Sequence, residues 1–331
     1  MGKFVQPRLC HEMDCPARQP SYSDGVKVAR MTQKLSPGTA LMLTVPPLLW
    51  AGNAVVGRLV SDLVPPITLN FLRWLIAFFI LLPLAGQLLK PSSPLWPSWR
   101  RFAILSVLGV GLYNALQYLA LHTSTPLNVT LVAGSTPVFM LAIGALFFKT
   151  PVRPAQWLGA ALSIGGVLVV LSRGDLQQIM QVSFVVGDIY ILLATLCWAL
   201  YSWLLTQRNE PDEIRGNWAL FLMAQVIFGL GWAGMFAGAE WALTDAHIVW
   251  GPPLFAALIF VSVGPAVLAY RCWGLGVQTA GPAVAGFFAN LTPLFAAIMS
   301  SVFLGDLPKV YHAVAFGLIV SGIWVSSRRA S

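Results

Sequence analysis

Charged residues are scarce in this sequence. They make up only 10% of its 331 residues, whereas 57% are hydrophobic and the mean hydropathy is +0.74. Soluble domains carry roughly 25% charged residues, so this composition excludes an ordinary water-soluble domain. Motifs of nucleotide motors, zinc proteases and serine hydrolases are also missing, as is any cluster of two histidines with a carboxylate. We therefore predict no catalytic residues, no metal and no cofactor.

Cysteine is scarce as well. Cys10 and Cys15 enclose a single histidine, which falls short of the four ligands of a structural zinc site. Cys197 and Cys272 fall in apolar runs, so we expect no disulfide framework. Residues 1–38 are polar and lack the apolar core of a cleavable signal peptide. We interpret them as a disordered cytoplasmic tail.

Long apolar runs, by contrast, fill the rest of the chain. A hydrocarbon core about 30 Å thick is crossed by roughly 20 apolar residues of helix. Ten runs predict membrane helices at 39–60, 66–86, 102–121, 127–148, 155–172, 187–206, 217–238, 253–275, 281–304 and 311–327. Only Gln278, Thr279 and Ala280 mark the split between the eighth and ninth runs. The sequence thus predicts an all-α integral membrane protein.

One pattern occurs twice, at 128–173 and again at 284–329. A shift of 156 residues superposes Thr136-Pro137 on Thr292-Pro293 and Arg173 on Arg329. This predicts two repeats, one at 39–172 with helices one to five and one at 187–327 with helices six to ten. Because five is odd, the second repeat must be inserted upside down relative to the first. Two inverted five-helix repeats are an architecture of alternating-access carriers.

Lysine and arginine predict the orientation, because they are retained on the cytoplasmic side. With the N-terminus inside, fifteen of the 20 fall in inner segments and five in outer segments or spans. This predicts a multi-pass protein of the plasma (inner) membrane with both termini in the cytoplasm. The net charge of +8 then faces anionic lipid, so the lipid bilayer is an expected partner and nucleic acid is not.

Short motifs recur at matching helix positions in the two repeats. The first repeat has Trp50-Ala-Gly-Asn53, Arg73, Asn114, Ala120-Leu121 and Thr136-Pro137. The second repeat has Gly187-Asp188, Trp198-Ala-Leu-Tyr201, Ala269-Tyr270, Trp273, Pro293 and Leu304-Gly-Asp306. With these motifs, the chain from about residue 39 to 327 resembles the drug/metabolite transporter (DMT) superfamily, of the EamA type.

The resemblance implies a ten-helix permease, and many members of that superfamily export amino acids and other metabolites. This chain departs from the pattern at one point. Many relatives close the fourth and ninth helices with Glu, where this chain has Thr150 and Asp306. A role for that carboxylate is therefore not expected in the first repeat.

Aromatic and polar residues inside the spans are the candidate substrate-binding residues. They are Trp50, Asn53, Arg73, Asn114, Gln117, Tyr118, Trp198, Tyr201, Tyr270 and Trp273. A deep Trp needs an acceptor for its indole N–H, which either a cavity or a packed core can supply. Asn114, Gln117 and Tyr118 form a polar stripe at helical spacing, which either binds a substrate or holds helices together. The single residues Asn70, Gln225 and Asn290 are interpreted as helix–helix contacts.

Arg73 is the most informative charge. It lies roughly 10 Å from the outer end of the second predicted helix, and no acid lies deep in any predicted span. An unpaired guanidinium there costs on the order of 3 kcal/mol or more. A substrate carboxylate would complete it; snorkelling to the interface or bonds to helix-end carbonyls are the alternatives. The lack of deep acids also predicts that no buried carboxylate drives transport, which leaves facilitated export, exchange, or coupling through Asp188.

Prolines inside helices are candidate hinges. Pro137, Pro265 and Pro293 each remove a backbone hydrogen bond, and the first and last are equivalent in the two repeats. They either let helices bend beside a central cavity or are kinks packed against neighbours.

We predict a carrier, not an enzyme, that moves a small organic metabolite outward by alternating access. An amino acid or a related amphipathic solute is the expected cargo. Two rivals come from other classes. A membrane-embedded enzyme needs a polar catalytic pair in a span, and a non-transporting membrane partner protein is expected to carry a soluble effector domain. A homodimer is an open alternative to a monomer.

Overall fold

The computed structural model describes residues 35–124, 126–175, 177, 185–304 and 309–327. Cys10, Cys15 and most of the predicted tail lie outside these ranges, as do Asp306 and Arg329. The side chain of Tyr118 is also outside the described part of the structure. Within these ranges every regular element is a helix.

The helices follow one another closely along the chain. The α-helices are α1 (Pro37–Leu59), α2 (Pro66–Ala85), α3 (Trp99–Ser106), α4 (Tyr113–Thr123), α5 (Pro126–Ala133), α6 (Thr136–Phe148), α7 (Pro154–Leu171), α8 (Val186–Leu204), α9 (Asp212–Gly216), α10 (Trp218–Leu243), α11 (Pro252–Val261), α12 (Ala269–Ala280), α13 (Pro282–Ala289), α14 (Leu291–Leu304) and α15 (Val310–Ser327). The first π segment (Val107–Leu112) joins α3 to α4, and the second π segment (Ser262–Leu268) joins α11 to α12.

Proline begins many of these helices. It occupies the first or second position of α1, α2, α6, α7, α11 and α13. A proline there gives up no hydrogen bond, and its fixed φ suits the helix. In α1, the side chain of Ser36 adds a cap by accepting from the backbone N–H of Thr39 at 3.1 Å. These helix starts are therefore encoded locally.

Nine helical stretches among the described residues are long and apolar enough to cross a membrane. They correspond to all the predicted spans except the third. That span, predicted at 102–121, is helical from Trp99 to Thr123 as α3, the first π segment and α4. Large apolar side chains such as Leu59 and Leu146 are each 75% exposed, as expected where the surface meets lipid. The chain is a multi-pass membrane protein.

The second half of the chain repeats the helix pattern of the first. A shift of 156 residues carries α5 onto α13, α7 onto α15 and the first π segment onto the second, to within one residue. Equivalent helices also pack on each other, α7 on α15 and α2 on α10. Gly159 and Gly322 let α7 and α15 approach closely, since a Cβ on either would lie 2.7 Å from the carbonyl oxygen of the other.

Both copies of the fourth predicted span are interrupted just before their proline. α5 ends at Ala133 and α6 begins at Thr136, with Pro137 buried at its second position. α13 ends at Ala289 and α14 begins at Leu291, with Pro293 in its first turn. These prolines thus start a helical segment, where a missing N–H costs nothing. Their hinge role stays a prediction.

Two helix ends differ from the sequence-based expectation. α12 continues through Gln278–Ala280, and the turn falls on Gly281, whose φ of 87° favours glycine. α10 continues to Leu243, so Glu240 lies in a helix and not in an outer link. Its charge is tolerated there because it receives hydrogen bonds from the start of α2.

Candidate functional site

Aromatic side chains from both halves of the chain meet midway along the helices. This aromatic cluster consists of Trp50, Trp74, Tyr113, Trp198, Tyr201, Tyr270 and Trp273. Trp198 lies at its centre, with ring centroids 5.2 Å from Trp50, 5.3 Å from Trp273 and 4.8 Å from Tyr113. Tyr270 meets Trp74 edge-to-face at 4.8 Å. Such contacts add about 0.5–1.5 kcal/mol each beyond the area they bury.

Two hydrogen bonds connect aromatic side chains of the cluster to backbone carbonyl oxygens of the opposite half. The Tyr270 hydroxyl donates to the carbonyl oxygen of Gly109 at 2.6 Å, and Trp50 Nε1 donates to that of Pro265 at 3.3 Å. Gly109 and Pro265 lie in the two π segments and are related by the 156-residue shift. Short π-helical stretches are frequent at functional sites. Each half therefore gives one aromatic hydrogen bond to the equivalent backbone oxygen of the other half.

Two further aromatic residues are fixed by bonds within the second half. The Tyr201 hydroxyl donates to Gln225 Oε1 at 2.9 Å, and Trp273 Nε1 donates to Ser202 Oγ at 3.1 Å. Tyr201 and Trp273 are both fully buried, so these bonds satisfy polar atoms that water does not reach. Gln225, expected to be a helix–helix contact, thus also orients the cluster.

Arg73 is surrounded by an asparagine cage, formed by Asn53, Asn70 and Asn114. Its Nη2 donates to Asn70 Oδ1 at 2.8 Å and to Asn114 Oδ1 at 3.0 Å, and its Nη1 donates to Asn53 Oδ1 at 3.4 Å. Asn114 Nδ2 in turn donates to the carbonyl oxygens of Gly109 and Val110 in the first π segment. The cage therefore holds the guanidinium beside the aromatic cluster.

The surroundings of Arg73 differ from the alternatives that its position suggested. Only 4% of the residue is exposed, so it does not snorkel to an interface, and its partners are amide oxygens and not helix-end carbonyls. Snorkelling is not observed because three asparagine side-chain oxygens hold the guanidinium inside the bundle. The Nε of Arg73 and the Nε1 of the adjacent Trp74 are buried without any hydrogen-bond partner in the described structure.

A cavity of about 120 Å³ reaches the aromatic cluster from one end of the bundle. Its buried wall includes Tyr201, Tyr270 and Gln225, and its rim includes Arg215 and Arg271. We call this the arginine end. Arg73 and the asparagine cage do not line the cavity, because the aromatic cluster stands between them and the arginine end.

The rim of the cavity is held by charged contacts. Glu210 accepts from Arg101 at 2.9 Å and from Arg215 at 2.6 Å. Arg101 also donates to the carbonyl oxygen of Leu204 at the end of α8. The exposed Arg271 lies with its Cζ 4.4 Å from the ring centroid of Trp218. Arg215 is thus held by Glu210, whereas Arg271 is open to the cavity.

Three acids of the described residues are buried, and none lies in the aromatic cluster: Glu210 pairs with arginines at the rim, and Asp188 and Glu240 cap helix ends. Asp188 caps α8 by accepting from the Val185 backbone N–H at 2.9 Å, and it also accepts from the Ser124 hydroxyl. Glu240 caps α2 by accepting from the backbone N–H groups of Ile67 and Thr68 at 3.0 and 2.7 Å. Both carboxylates stabilise the positive end of a helix dipole.

The structure brings together eight of the ten predicted substrate-binding residues, in the aromatic cluster and the asparagine cage. Gln117 is half-buried one turn along α4 from Asn114, and the side chain of Tyr118 lies outside the described part. Pro265 contributes its carbonyl to the cluster, whereas Pro137 and Pro293 lie at helix starts.

Sequence reasoning missed Trp74 and Tyr113 and assigned Asn70 only to packing. The predicted packing role of Asn290 is confirmed by its bonds to Gly134 and Ser163.

Known proteins resemble this chain over most of its length. Residues 38–172 and 185–328 each match the family described as "EamA-like transporter family". An "Uncharacterized transporter" of Archaeoglobus fulgidus is 25% identical over 291 residues, covering 88% of this chain and 98% of the relative. The "Uncharacterized inner membrane transporter YedA" of Escherichia coli (strain K12) is 25% identical, covering 83% and 86%.

Another relative carries a more specific name. The "Aromatic amino acid exporter YddG" of Ancylobacter novellus is 24% identical over 291 residues, covering 85% of this chain and 93% of the relative. A solved structure titled "Crystal structure of protein" superposes with a TM-score of 0.68 and 21% identity, covering 87% of this chain and 96% of that chain. At that identity the superposition shows a shared fold.

Proposed function

The chain belongs to the EamA-like transporter family, and from this premise we propose that it exports a small organic metabolite by alternating access. An amino acid or a related amphipathic solute is the proposed cargo. The proposed architecture has ten spans in two inverted five-helix repeats, residues 39–172 and 187–327, with Trp99 to Thr123 as the third span. Both termini would lie in the cytoplasm, at the plasma (inner) membrane.

The observation that carries the proposal is the aromatic cluster shared by the two halves. Each half contributes a tryptophan, Trp50 and Trp198, and their rings meet at 5.2 Å. A carrier with inverted repeats binds its cargo near the midplane, where the repeats meet. A cavity that reaches the cluster from one end and stops there is what one of two alternating states requires.

The position of the cavity supports export. Its rim carries Arg215 and Arg271, and Arg101 and Arg208 lie at the same end of the bundle. Lys and Arg are retained on the cytoplasmic side, so this cavity would load solute from the cytoplasm. The relatives are named transporters, which points to transport and not to catalysis, and one of them is named an exporter of aromatic amino acids.

The proposed binding site joins two kinds of chemistry. Aromatic faces accept apolar or cationic groups, and Arg73 with its asparagine cage offers polar contacts. The proposed substrate-binding residues are Trp50, Asn53, Arg73, Asn114, Gln117, Tyr118, Trp198, Tyr201, Tyr270 and Trp273. Helix movement at Pro137, Pro265 and Pro293 would open the site to either side.

An efflux assay tests export directly. Cells that overproduce the protein are preloaded with a labelled mixture of amino acids and small metabolites, beside cells with an empty vector. We expect at least one solute to leave faster, and we expect Trp50→Ala to lose most of that gain. The matched control is Trp157→Ala, since Trp157 is 51% exposed on α7, away from the cluster.

Two outcomes would contradict this proposal. Unchanged release of every solute across a broad panel would exclude export and direct attention to uptake. Equal loss of efflux in Trp50→Ala and Trp157→Ala, at equal membrane abundance, would show that the aromatic cluster has no special part.

A further inference from the structure

Arg73 is a buried charge without a counter-ion. Its three side-chain partners are asparagine oxygens, and it contacts no carboxylate among the described residues. Neutral amides accept hydrogen bonds but leave the positive charge in place. A charge held inside a membrane protein is costly and marks a functional site by default, with an anion as its natural partner.

Unused hydrogen-bond donors lie beside this charge. Arg73 Nε and Trp74 Nε1 are buried and have no acceptor in the described structure. Trp74 is fully buried, and its ring centroid lies 5.3 Å from Arg73 Cζ. Buried N–H groups are rarely left unpaired, and an orphaned one marks a place where a water, an ion or a ligand can bind. The group missing beside Arg73 and Trp74 is therefore a hydrogen-bond acceptor that also carries negative charge.

One asparagine of the cage is held less tightly than the others. Asn53 accepts from Arg73 Nη1 at 3.4 Å, against 2.8 and 3.0 Å for Asn70 and Asn114. Asn53 is half-buried, whereas Asn70 and Asn114 are buried. An oxygen at 3.4 Å makes a weak bond. The Asn53 amide is therefore the partner that an incoming oxygen would replace most easily.

The aromatic neighbours of Arg73 indicate which chemical group the rest of a bound ligand would carry. Trp74 meets Tyr270 edge-to-face at 4.8 Å, and Tyr270 lies 5.7 Å from Trp198. A molecule with one end at Arg73 would have its remainder against these rings. Aromatic faces favour a planar or apolar group there.

We propose that Arg73 binds the carboxylate of the carried solute, which is therefore an organic acid with a planar, apolar group. This inference rests on the proposed export function and names its substrate class. In the empty carrier the asparagine cage holds the guanidinium. The solute carboxylate takes the place of the Asn53 amide at Nη1 and neutralises the charge, while the ring of the solute packs on the aromatic cluster.

Thermal unfolding of the purified full-length protein tests this without a transport assay. Sodium methanesulfonate is exchanged for sodium 3-phenylpropionate or for sodium chloride at constant ionic strength, and 3-phenylpropanamide serves as the uncharged analogue. A ligand that binds only the folded state raises the unfolding midpoint. We expect 3-phenylpropionate to raise it at a concentration at least tenfold below that of the amide, and Arg73→Gln to lose this response.

The decisive variant is Asn53→Asp, which supplies a carboxylate from the chain itself. We expect it to raise the midpoint without ligand, because it neutralises Arg73, and to abolish the response to 3-phenylpropionate. Asn209→Asp is the matched control, because it adds the same charge at an exposed asparagine in the loop between α8 and α9, and it should keep the response. Arg73→Lys should retain part of it, because the positive charge remains.

Three results would overturn the proposal. They are equal responses to the acid and the amide, a full response in Asn53→Asp, and a response to chloride as strong as that to 3-phenylpropionate, which would make this an inorganic anion site. The two proposals fail separately. Efflux without the acid-specific rise in the unfolding midpoint would support export and contradict the Arg73 site. The rise in the midpoint without efflux would support an acid-binding site at Arg73 and contradict export.

Discussion

The two halves of this protein share a scaffold but present different chemistry to its centre. A shift of 148 residues relates Trp50 and Asn53 of α1 to Trp198 and Tyr201 of α8. The 156-residue shift relates Asn114 of α4 to Tyr270 of α12. At both positions an amide in the first half corresponds to a phenol in the second.

Because of this difference, the two halves contribute different interactions to the candidate site. The amides of the first half accept from Arg73, so that half holds a charge. The phenols of the second half contact the rings of Trp198 and Trp74 and donate to Gln225 and Gly109, so that half adds aromatic rings where the first half has amides. A repeated fold can therefore hold an asymmetric ligand while the helices of its two halves keep the same order.

The largest effect is expected where the first half holds the charge. Asn114→Leu removes an acceptor of Arg73 and a donor to Gly109 and Val110. Hydrogen bonds to charged groups contribute about 1.5–3 kcal/mol, so we expect a loss of about 3 kcal/mol of stability. Thermal unfolding in detergent measures it, with Gln117→Leu on the same helix as control. Equal midpoints for the two variants would mean that Asn114 does not hold Arg73.

The scaffold, in contrast, should respond symmetrically. Gly159→Ala and Gly322→Ala each place a methyl group 2.7 Å from the carbonyl oxygen of the other glycine. Forcing atoms into a packed interface costs about 1–3 kcal/mol, and we expect nearly equal losses, near 2 kcal/mol. Gly165→Ala is the matched control, because a Cβ there meets nothing within 4 Å. Unequal losses at Gly159 and Gly322 would show that one side of this reciprocal contact accommodates a methyl group more easily than the other.

The scaffold could be read from the sequence because its determinants are local. Apolar length predicted the spans, and proline at the first or second position is a local signal for many of the helix starts that the structure shows. The exceptions are non-local. Glu240 was placed outside its helix because a hydropathy run ends near a charge, yet its carboxylate is satisfied by backbone N–H groups of the distant α2. No pattern in α10 alone could predict that partner.

The site was only partly readable for the same reason. The aromatic and polar residues inside the spans could be found, but their mutual contacts join helices far apart in sequence. Asn70 lies three residues before Arg73, a spacing at which helical side chains meet, and this signal could have identified it. The Trp74 ring gave no such signal, since adjacent residues of a helix face different directions. The π segments change the helix register without any residue pattern that marks them.

The smallest effects are expected at the two hydrogen bonds that cross between the halves, and their difference tests how far the symmetry extends. Tyr270→Phe removes a buried donor 2.6 Å from the Gly109 oxygen, whereas Trp50→Phe removes a half-buried donor 3.3 Å from the Pro265 oxygen. We expect losses of about 1 kcal/mol and about half of that, because the shorter and more buried bond contributes more. Both values follow from thermal unfolding of variants with equal expression. If Trp50→Phe costs as much as Tyr270→Phe, the two carbonyl bonds act alike, and the asymmetry is confined to Arg73 and its cage.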